Sequence, residues 1–260
     1  KNVRKNILDM AFHGSTVHIG CALCLVEIFI VIYKNHLSYD FYNPEDPNRD
    51  FLILSKGHGV MAQYACMKEL GWLNDDDLFN YFSDGTELKG LSDSRVRGLE
   101  VTSGSLGHGL SVGVGIALGH HINKSQQKTF IIVGDGELNE GSCWEAIQFA
   151  GHHKLKNTCM IVDKNNFQAM GETAKIINQD NLGQQIESFN FNVIEIDGHD
   201  EVVIDETIKQ IYSSSNGKPN CIIANTVKGK GISFMENKND WHYSRLDQSL
   251  YEAALLELEK

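Results

Sequence analysis

Proline is scarce in this chain: there are three in 260 residues, and Pro44 and Pro47 share one loop-like stretch. Helices and strands therefore meet few obligatory breaks. Positive charge is also short, with 23 Lys and Arg against 34 Asp and Glu and a formal net charge of −11. That balance argues against nucleic acid or an anionic membrane surface as a partner. It leaves room for a phosphorylated ligand, because a bound metal and a few Lys or His reverse the field locally. No apolar run approaches the ~18 uncharged residues of a membrane span. Lys1 to Asp9 carries no signal-peptide pattern, so a cytoplasmic location is expected. The chain opens on Lys rather than Met, and a few leading residues are expected to precede it. The six cysteines (Cys21, Cys24, Cys66, Cys143, Cys159 and Cys221) lie scattered in apolar or small-residue contexts, as buried thiols do. Cys21 and Cys24 form a CxxC with no second ligand pair at structural-zinc spacing. They read as two small residues entering a helix, with a redox role as the alternative. Repeats, low-complexity tracts and linkers are absent. One large α/β domain over residues 1–260 is expected.

What is present centres on residues 129–167. Thr129 to Val133 is an apolar run that reads as a buried parallel strand, and it breaks at Gly134-Asp135-Gly136. Glycines there let backbone N–H groups approach an anion. Trp144, Ile147, Gln148 and Gly151 then fall at helical spacing, with Glu137, Glu140 and Glu145 near the helix start. A second apolar strand, Thr158 to Val162, ends at Asp163-Lys164-Asn165-Asn166. The stretch is a β-α-β unit with oxygen ligands at the C-terminal ends of both strands, where open α/β sheets bind ligands. The Asp135 carboxylate and Asn165 amide oxygen lie thirty residues apart. Hard oxygen ligands of this kind suit Mg²⁺, which shares its coordination shell with substrate phosphates, and they suit Ca²⁺ as well. The bland alternative is that both motifs are only tight turns.

The flanking sequence adds similar strand-then-polar-loop patterns. Val3 to Phe12 reads as an amphipathic helix, and Leu23 to Tyr33 as one long buried helix. Phe51 to Leu54 is a strand ending at Ser55-Lys56-Gly57-His58-Gly59, before a helix to about Leu70. Lys56 and His58 then stand at a strand end beside a helix N-terminus, a favourable place for an anion. Asn74 caps a short acidic helix, Ser83 to Glu100 is irregular, and Ser111 to His121 is a small-residue helix. Its glycine-rich entry is no dinucleotide fingerprint, because the preceding strand is missing. Asn192 to Ile196 and Asn220 to Thr226 are strands, Asp205 to Tyr212 and Leu250 to Leu258 are helices, and Trp241-His242-Tyr243 sits in a polar loop. The expected fold is a doubly wound, mostly parallel sheet with helices on both faces, its polar strand ends converging on one edge.

The Gly-Asp-Gly…Asn-Asn pattern resembles the diphosphate motif of thiamine-diphosphate enzymes. The resemblance sharpens with Ser55-Lys56-Gly57-His58, Thr102 to Gly107, Gly134 to Gly141, Asp197-Gly198-His199-Asp200 and Thr226 to Gly231. In that order, over nearly the whole chain, these look like the successive motifs of the transketolase family. The resemblance implies a thiamine-diphosphate-binding fold of the diphosphate type, with thiamine diphosphate and Mg²⁺ as cofactors. It implies that Asp135, Asn165 and the Phe167 carbonyl bind the metal. It implies that Lys56, His58, Gly136, Lys228 and His242 surround the diphosphate, with Asn165 beside it, and that Gly104, Ser105 and Leu106 line the aminopyrimidine. His18, His58 and His242 are the implied catalytic proton carriers. Cys21 stands where the family often has a substrate-contacting Ser, and Glu140 and Glu145 resemble acids that cross a subunit interface. The implied reaction is transfer of a two-carbon ketol unit from a ketose phosphate to an aldose phosphate, in pentose-phosphate-type carbohydrate metabolism.

Several departures qualify this. Leu91 stands where the family usually has a histidine that hydrogen-bonds the donor ketose, which puts an unmodified donor specificity in doubt. His108 replaces a usual Gln, and Ile19 a usual Pro. A full-length transketolase is more than twice as long and carries a pyrimidine-binding middle domain, which supplies a catalytic Glu, and a C-terminal domain. The resemblance therefore implies an N-terminal subunit of a split enzyme. Its partner is a separate C-terminal subunit, in a heterotetramer with two chains of each kind, and the isolated chain is inactive. The alternatives are another thiamine-diphosphate two-carbon transferase, such as a 1-deoxyxylulose-phosphate synthase-like or unusual-sugar enzyme, and a non-catalytic cofactor-binding subunit.

Overall fold

The computed structural model describes residues 1–214 and 216–259. The chain opens with α1 (Asn2–His13), α2 (Ile19–Leu23) and α3 (Val26–Val31), which runs into a π-helical turn, Ile32–His36. Strand β1 (Phe51–Leu54) leads to α4 (Val60–Glu69) and α5 (Asp75–Phe79). After a long irregular stretch come α6 (His108–Ile122), β2 (Thr129–Gly134), α7 (Gly141–His152) and β3 (Thr158–Lys164). A small hairpin, β4 (Phe167–Gln168) with β5 (Gly171–Glu172), precedes α8 (Thr173–Ile176) and α9 (Leu182–Ser188). Strand β6 (Asn192–Asp197), α10 (Glu201–Ser213), β7 (Asn220–Asn225) and α11 (Gln248–Glu259) complete the chain.

The five long strands form one sheet in the order β1-β2-β3-β7-β6, and every pairing is parallel. A parallel sheet of this kind is buried on both faces, so its strands read as continuous apolar runs rather than alternating ones. Strand β2 shows the consequence. Phe130 and Ile132 join a core with α1 to α4, α10 and α11, while Ile131 and Val133 join a second core with α6, α7 and α9. In β3, Cys159 and Ile161 likewise face the first core, and Met160 and Val162 the second. The expected doubly wound architecture, with helices on both faces, is what forms.

The chain steps from β1 through β2 to β3 in one direction, then enters at the far edge with β6 and steps back to β7. The order reverses between β3 and β7, and a crevice opens outside the carboxyl ends of strands at such a point.

Several boundaries differ from the sequence expectation. The single helix expected over Leu23 to Tyr33 is two, separated at Cys24 and Leu25, where the Cys24 thiol turns to the carboxylate of Asp163, 3.0 Å away. Helix α10 begins at Glu201 rather than Asp205, because Asp200 caps it by accepting from the N–H groups of Val202 and Val203. Asn74 caps α5 with a reciprocal box to Asp77, as expected. No described helix is long and apolar enough to cross a membrane.

Candidate active site

A cleft of about 430 Å³ lies at the carboxyl ends of β1, β2 and β3. Each wall comes from a loop that leaves a strand. β1 delivers Lys56 and His58, β2 delivers Asp135 and Gly136, and β3 delivers Asn165 and Phe167. Gly104 and Leu106 approach from the irregular segment, His18 and Cys21 from the start of α2, and His242 from the 3₁₀ turn Asn239–His242.

The expected site residues converge, with two exceptions in detail. Ser105 is exposed and outside the cleft wall that its neighbours Gly104 and Leu106 form. Gly104 makes the close approach here. Its φ of +146° suits glycine, and an added Cβ would lie 2.8 Å from Leu91 Cδ1. Lys228 is fully buried behind the wall and reaches the cleft through His242, whose Nδ1 accepts from Lys228 Nζ at 2.8 Å. Glu140 lines the rim, whereas Glu145 is exposed on α7.

Asp135 is 2% exposed. Its carboxylate accepts from the N–H of Gly136 (2.8 Å), the N–H of Asn166 (2.7 Å) and the Thr173 hydroxyl (3.2 Å). Burial, and then the neighbouring Asp163 charge, push its pKa up to about 6. Asn165 is held from both ends of its amide: Oδ1 accepts from Phe167 N–H at 3.1 Å and Nδ2 donates to Asp163 at 3.0 Å.

The sequence did not single out Asp163, yet it anchors this end of the sheet. It is completely buried and accepts from Lys56, Thr226, Asn165 and the Cys24 thiol. Burial favours its neutral form, but the Lys56 ammonium and the hydrogen bonds prevail and hold its pKa below the usual value. Lys56 answers in kind: burial favours the neutral amine, and Asp163 outweighs it to raise the pKa. The pair thus fixes a cation at the end of β1 against the end of β3.

Glu137, read from sequence only as a helix-start acid, is a second buried anchor. It accepts from the Ser55 hydroxyl (2.5 Å), Gly107 N–H (2.9 Å) and Gly134 N–H (3.2 Å), joining β1, the entry to α6 and β2. His199 is the third. Its Nε2 accepts from Val227 N–H at 2.8 Å and its Nδ1 meets Glu27 at 2.9 Å, while Arg4 pairs with Glu27 at 2.7 Å. An Nε2 that accepts a backbone hydrogen bond places the proton on Nδ1, and this chain of contacts sets the backbone just before Lys228. The signal for all three anchors was their place at strand ends within polar motifs. Their burial depends on tertiary packing and is invisible in sequence.

Three imidazoles crowd the cleft. The ring of His18 lies 5.1 Å from that of His58 and 5.4 Å from that of His242, and His58 and His242 are 5.4 Å apart. His18 takes a left-handed backbone, φ 69°, a conformation uncommon outside glycine, and its N–H donates to the His242 carbonyl at 3.2 Å. Burial, then Lys228, lowers the pKa of His18 to about 4 and of His242 to about 3. Burial, then Lys56, holds His58 well below the usual range. All three are therefore neutral at pH 7, with one nitrogen donating and one accepting. On His242 the Nδ1 lone pair is taken by Lys228, so the proton resides on Nε2.

Leu91, 44% exposed, lines this cleft and a neighbouring cavity of about 380 Å³ that shares His18 and is walled by Tyr81, Phe82 and Tyr243. The cleft surface at Leu91 is thus apolar.

Known proteins resemble this chain along nearly its whole length. Residues 1–254 match the family model for the transketolase thiamine diphosphate binding domain. The chain is 40% identical over 260 residues to an apulose-4-phosphate transketolase subunit from Actinobacillus succinogenes, covering 99% of this chain and 94% of that protein. It is 36% identical over 259 residues to the 6-deoxy-6-sulfo-D-fructose transketolase subunit SqwG of a Clostridium species, covering 99% and 94%. Its fold superposes on transketolase from Campylobacter jejuni with a TM-score of 0.93 and 30% identity, covering 99% of this chain but only 42% of that one. Matched along almost its whole length by the family model and by these subunits, the chain belongs to the transketolase thiamine diphosphate-binding domain family.

Proposed function

We propose that this protein is the N-terminal, diphosphate-binding subunit of a split transketolase that works with a separate C-terminal subunit, in a cytoplasmic heterotetramer. The observation that carries this reading is the convergence of Asp135, Asn165, Lys56 and the three histidines on one cleft at the reversal point of the sheet. Its support from relatives is that proteins of nearly the same length are named as transketolase subunits.

The residues fit thiamine diphosphate and a magnesium ion. Asp135 is a buried carboxylate whose charge is costly, and a divalent cation shared with Asn165 Oδ1 and the Phe167 carbonyl would offset that cost. The Gln168 side-chain nitrogen is buried at the cleft wall without a hydrogen-bond partner, a donor available to an oxygen-rich ligand. Ca²⁺ suits the same ligands. His58, Lys56, Gly136, Lys228 and His242 would surround the diphosphate, and Gly104, Ser105 and Leu106 the aminopyrimidine. When bound, thiamine diphosphate supplies the carbon nucleophile that carries a two-carbon unit between sugars.

The chain's own part is positioning and proton transfer. His242 offers its Nε2 proton to a substrate oxygen while Lys228 holds the other nitrogen. His18 and His58, also neutral, accept or return protons on sugar hydroxyls. The Lys56–Asp163 pair keeps a fixed positive charge at the diphosphate end without exposing it to solvent.

Leu91 favours a donor other than the common ketose phosphates. It cannot donate to a sugar hydroxyl, and the relatives above carry apulose-4-phosphate and 6-deoxy-6-sulfo-D-fructose in their names. The substrate class is thus an uncommon ketose with a terminal phosphate or sulfonate, and the acceptor an aldose phosphate. The test is a two-carbon transfer assay with Mg²⁺ and thiamine diphosphate over a panel of such donors, using the chain alone and with its C-terminal partner. Turnover only in the mixture is expected. Turnover by the isolated chain would refute the split-enzyme reading.

A further inference from the structure

Beside the oxygen donors Asp135 and Asn165, the cleft holds a second donor set of different chemistry. Cys21 is buried, His58 and His242 are partly buried, and one ligand atom from each lies within 4.8 Å of the others. Cys21 Sγ is 3.5 Å from His242 Nδ1. The His18 ring stands against both histidines, in reach of a fourth position. These residues arrive from three separate segments: the start of α2, the loop after β1 and the turn before Tyr243. Zinc takes Cys sulfur at about 2.3 Å and His nitrogen at about 2.0–2.1 Å in a tetrahedral shell, which sets neighbouring ligand atoms about 3–4 Å apart. The Cys21–His242 spacing already meets that. The Lys56 and Lys228 ammonium groups disfavour protonation of these histidines and favour the thiolate of Cys21, so the donor atoms are open to a metal and the thiolate supplies the negative charge that a dication needs beside them. Thiolate and imidazole select borderline-soft metals, whereas Mg²⁺ prefers oxygen ligands.

We propose that Cys21, His58 and His242 form a zinc-class metal site, completed by His18 or water, that competes with cofactor loading. On binding, the Cys21 thiol proton leaves to solvent, and the metal takes the His242 Nδ1 lone pair that Lys228 now holds. The competition rests on the placement of His58 and His242 around the diphosphate. The metal site itself does not.

The test is a Co²⁺ titration of the full chain without cofactor, followed by absorption. A thiolate-to-cobalt charge-transfer band should saturate at one metal per chain and vanish on adding Zn²⁺. Cys21→Ser should abolish that band, and His242→Gln should keep it while weakening binding more than about tenfold, since even outer partners of metal ligands are worth that much. Cys66→Ser, in the remote core, should bind as the parent does. A saturated spectrum with no thiolate band, or a band that survives Cys21→Ser, overturns the proposal. Should Cys21→Ser fail to fold, Zn²⁺ should instead protect Cys21 from alkylation in the parent chain, and unchanged labelling overturns the proposal equally. Adding thiamine diphosphate with Mg²⁺ to the cobalt-loaded chain reconstituted with its C-terminal partner should then bleach the cobalt spectrum. Retained bands would overturn the competition and the diphosphate placement while leaving the metal site intact.

Discussion

The two ends of the central sheet carry cavities of nearly equal size but unlike construction. At the amino ends of the strands, about 370 Å³ is lined by Lys128, Lys156, Asn157, Tyr212, Lys218 and Asn220 among others. At the carboxyl ends, about 430 Å³ is lined by Lys56, Asp135, Asn165 and three histidines. In the first, asparagine side chains make structural ties: Asn157 Nδ2 donates to the Ala117 carbonyl at 3.2 Å, and Asn220 Oδ1 accepts from Asn192 Nδ2 at 3.1 Å. In the second, a buried ion pair, a buried carboxylate and neutral imidazoles sit together at a cost in stability. Volume does not distinguish the ends. Chemistry that folding alone does not require does.

The largest expected effect breaks the carboxyl-end anchor. Asp163→Ala leaves the Lys56 ammonium buried without its partner and should cost about 3–5 kcal/mol in urea unfolding. The paired change Lys56→Met with Asp163→Leu should recover most of that loss and still leave the reconstituted enzyme without turnover. Full activity in the double variant would show the ion pair to be structural filling, as at the amino end. Next, Asp135→Ala should lower two-carbon transfer more than about a hundredfold, as loss of the proposed metal ligand would exceed the 10- to 100-fold of an outer partner. Its fold should persist by circular dichroism.

Acidification sharpens the same contrast. His18 and His242 titrate near 4 and 3 when folded, against 6.5 unfolded, so the unfolded chain binds more protons below about pH 6.5. Stability should therefore fall as pH drops from 6.5 toward 4. Asp135 works in the opposite sense, gaining stability as pH falls through about 6, and burial raises Glu137 and Glu100 likewise, but the three cleft histidines are shifted the other way and Glu27 and Asp163 add to them. A thermal melt series without cofactor should show this decline, and His242→Gln should flatten it. A melting temperature that rises on acidification would contradict the assigned protonation states.

Two smaller effects complete the set. Leu91→His should shift the donor preference toward common ketose phosphates by about tenfold in relative kcat/KM, within reach of one restored hydrogen bond. Asn157→Ala, at the opposite end, should cost about 1 kcal/mol and leave turnover unchanged.

Much of this was legible in the sequence because parallel strands buried on both faces leave an uninterrupted apolar trace, as Thr129 to Val133 and Thr158 to Val162 do. The polar residues that follow such runs pointed to the cleft, and Asp135, Asn165, Lys56 and His58 meet there. Asp163 was missed because a lone acid after a strand looks like any turn residue until Lys56, more than a hundred residues earlier, folds against it. The hairpin at Phe167–Glu172 and helix α9 lack strong periodicity and are held by contacts made elsewhere: Asn239 donates to the Ala169 carbonyl at 3.1 Å, and Leu182 and Ile186 pack into the second core. The break at Cys24 likewise coincides with a tertiary contact, to Asp163.

The central claim is that the carboxyl end of the sheet is the metal-diphosphate site. Its most direct test is calorimetric titration of thiamine diphosphate with Mg²⁺ into the reconstituted complex, parent against Asp135→Ala. One cofactor bound per chain in the parent, with binding lost in the variant or when Mg²⁺ is omitted, is the result expected. Binding by the Asp135→Ala complex with parental affinity and Mg²⁺ dependence would contradict the account.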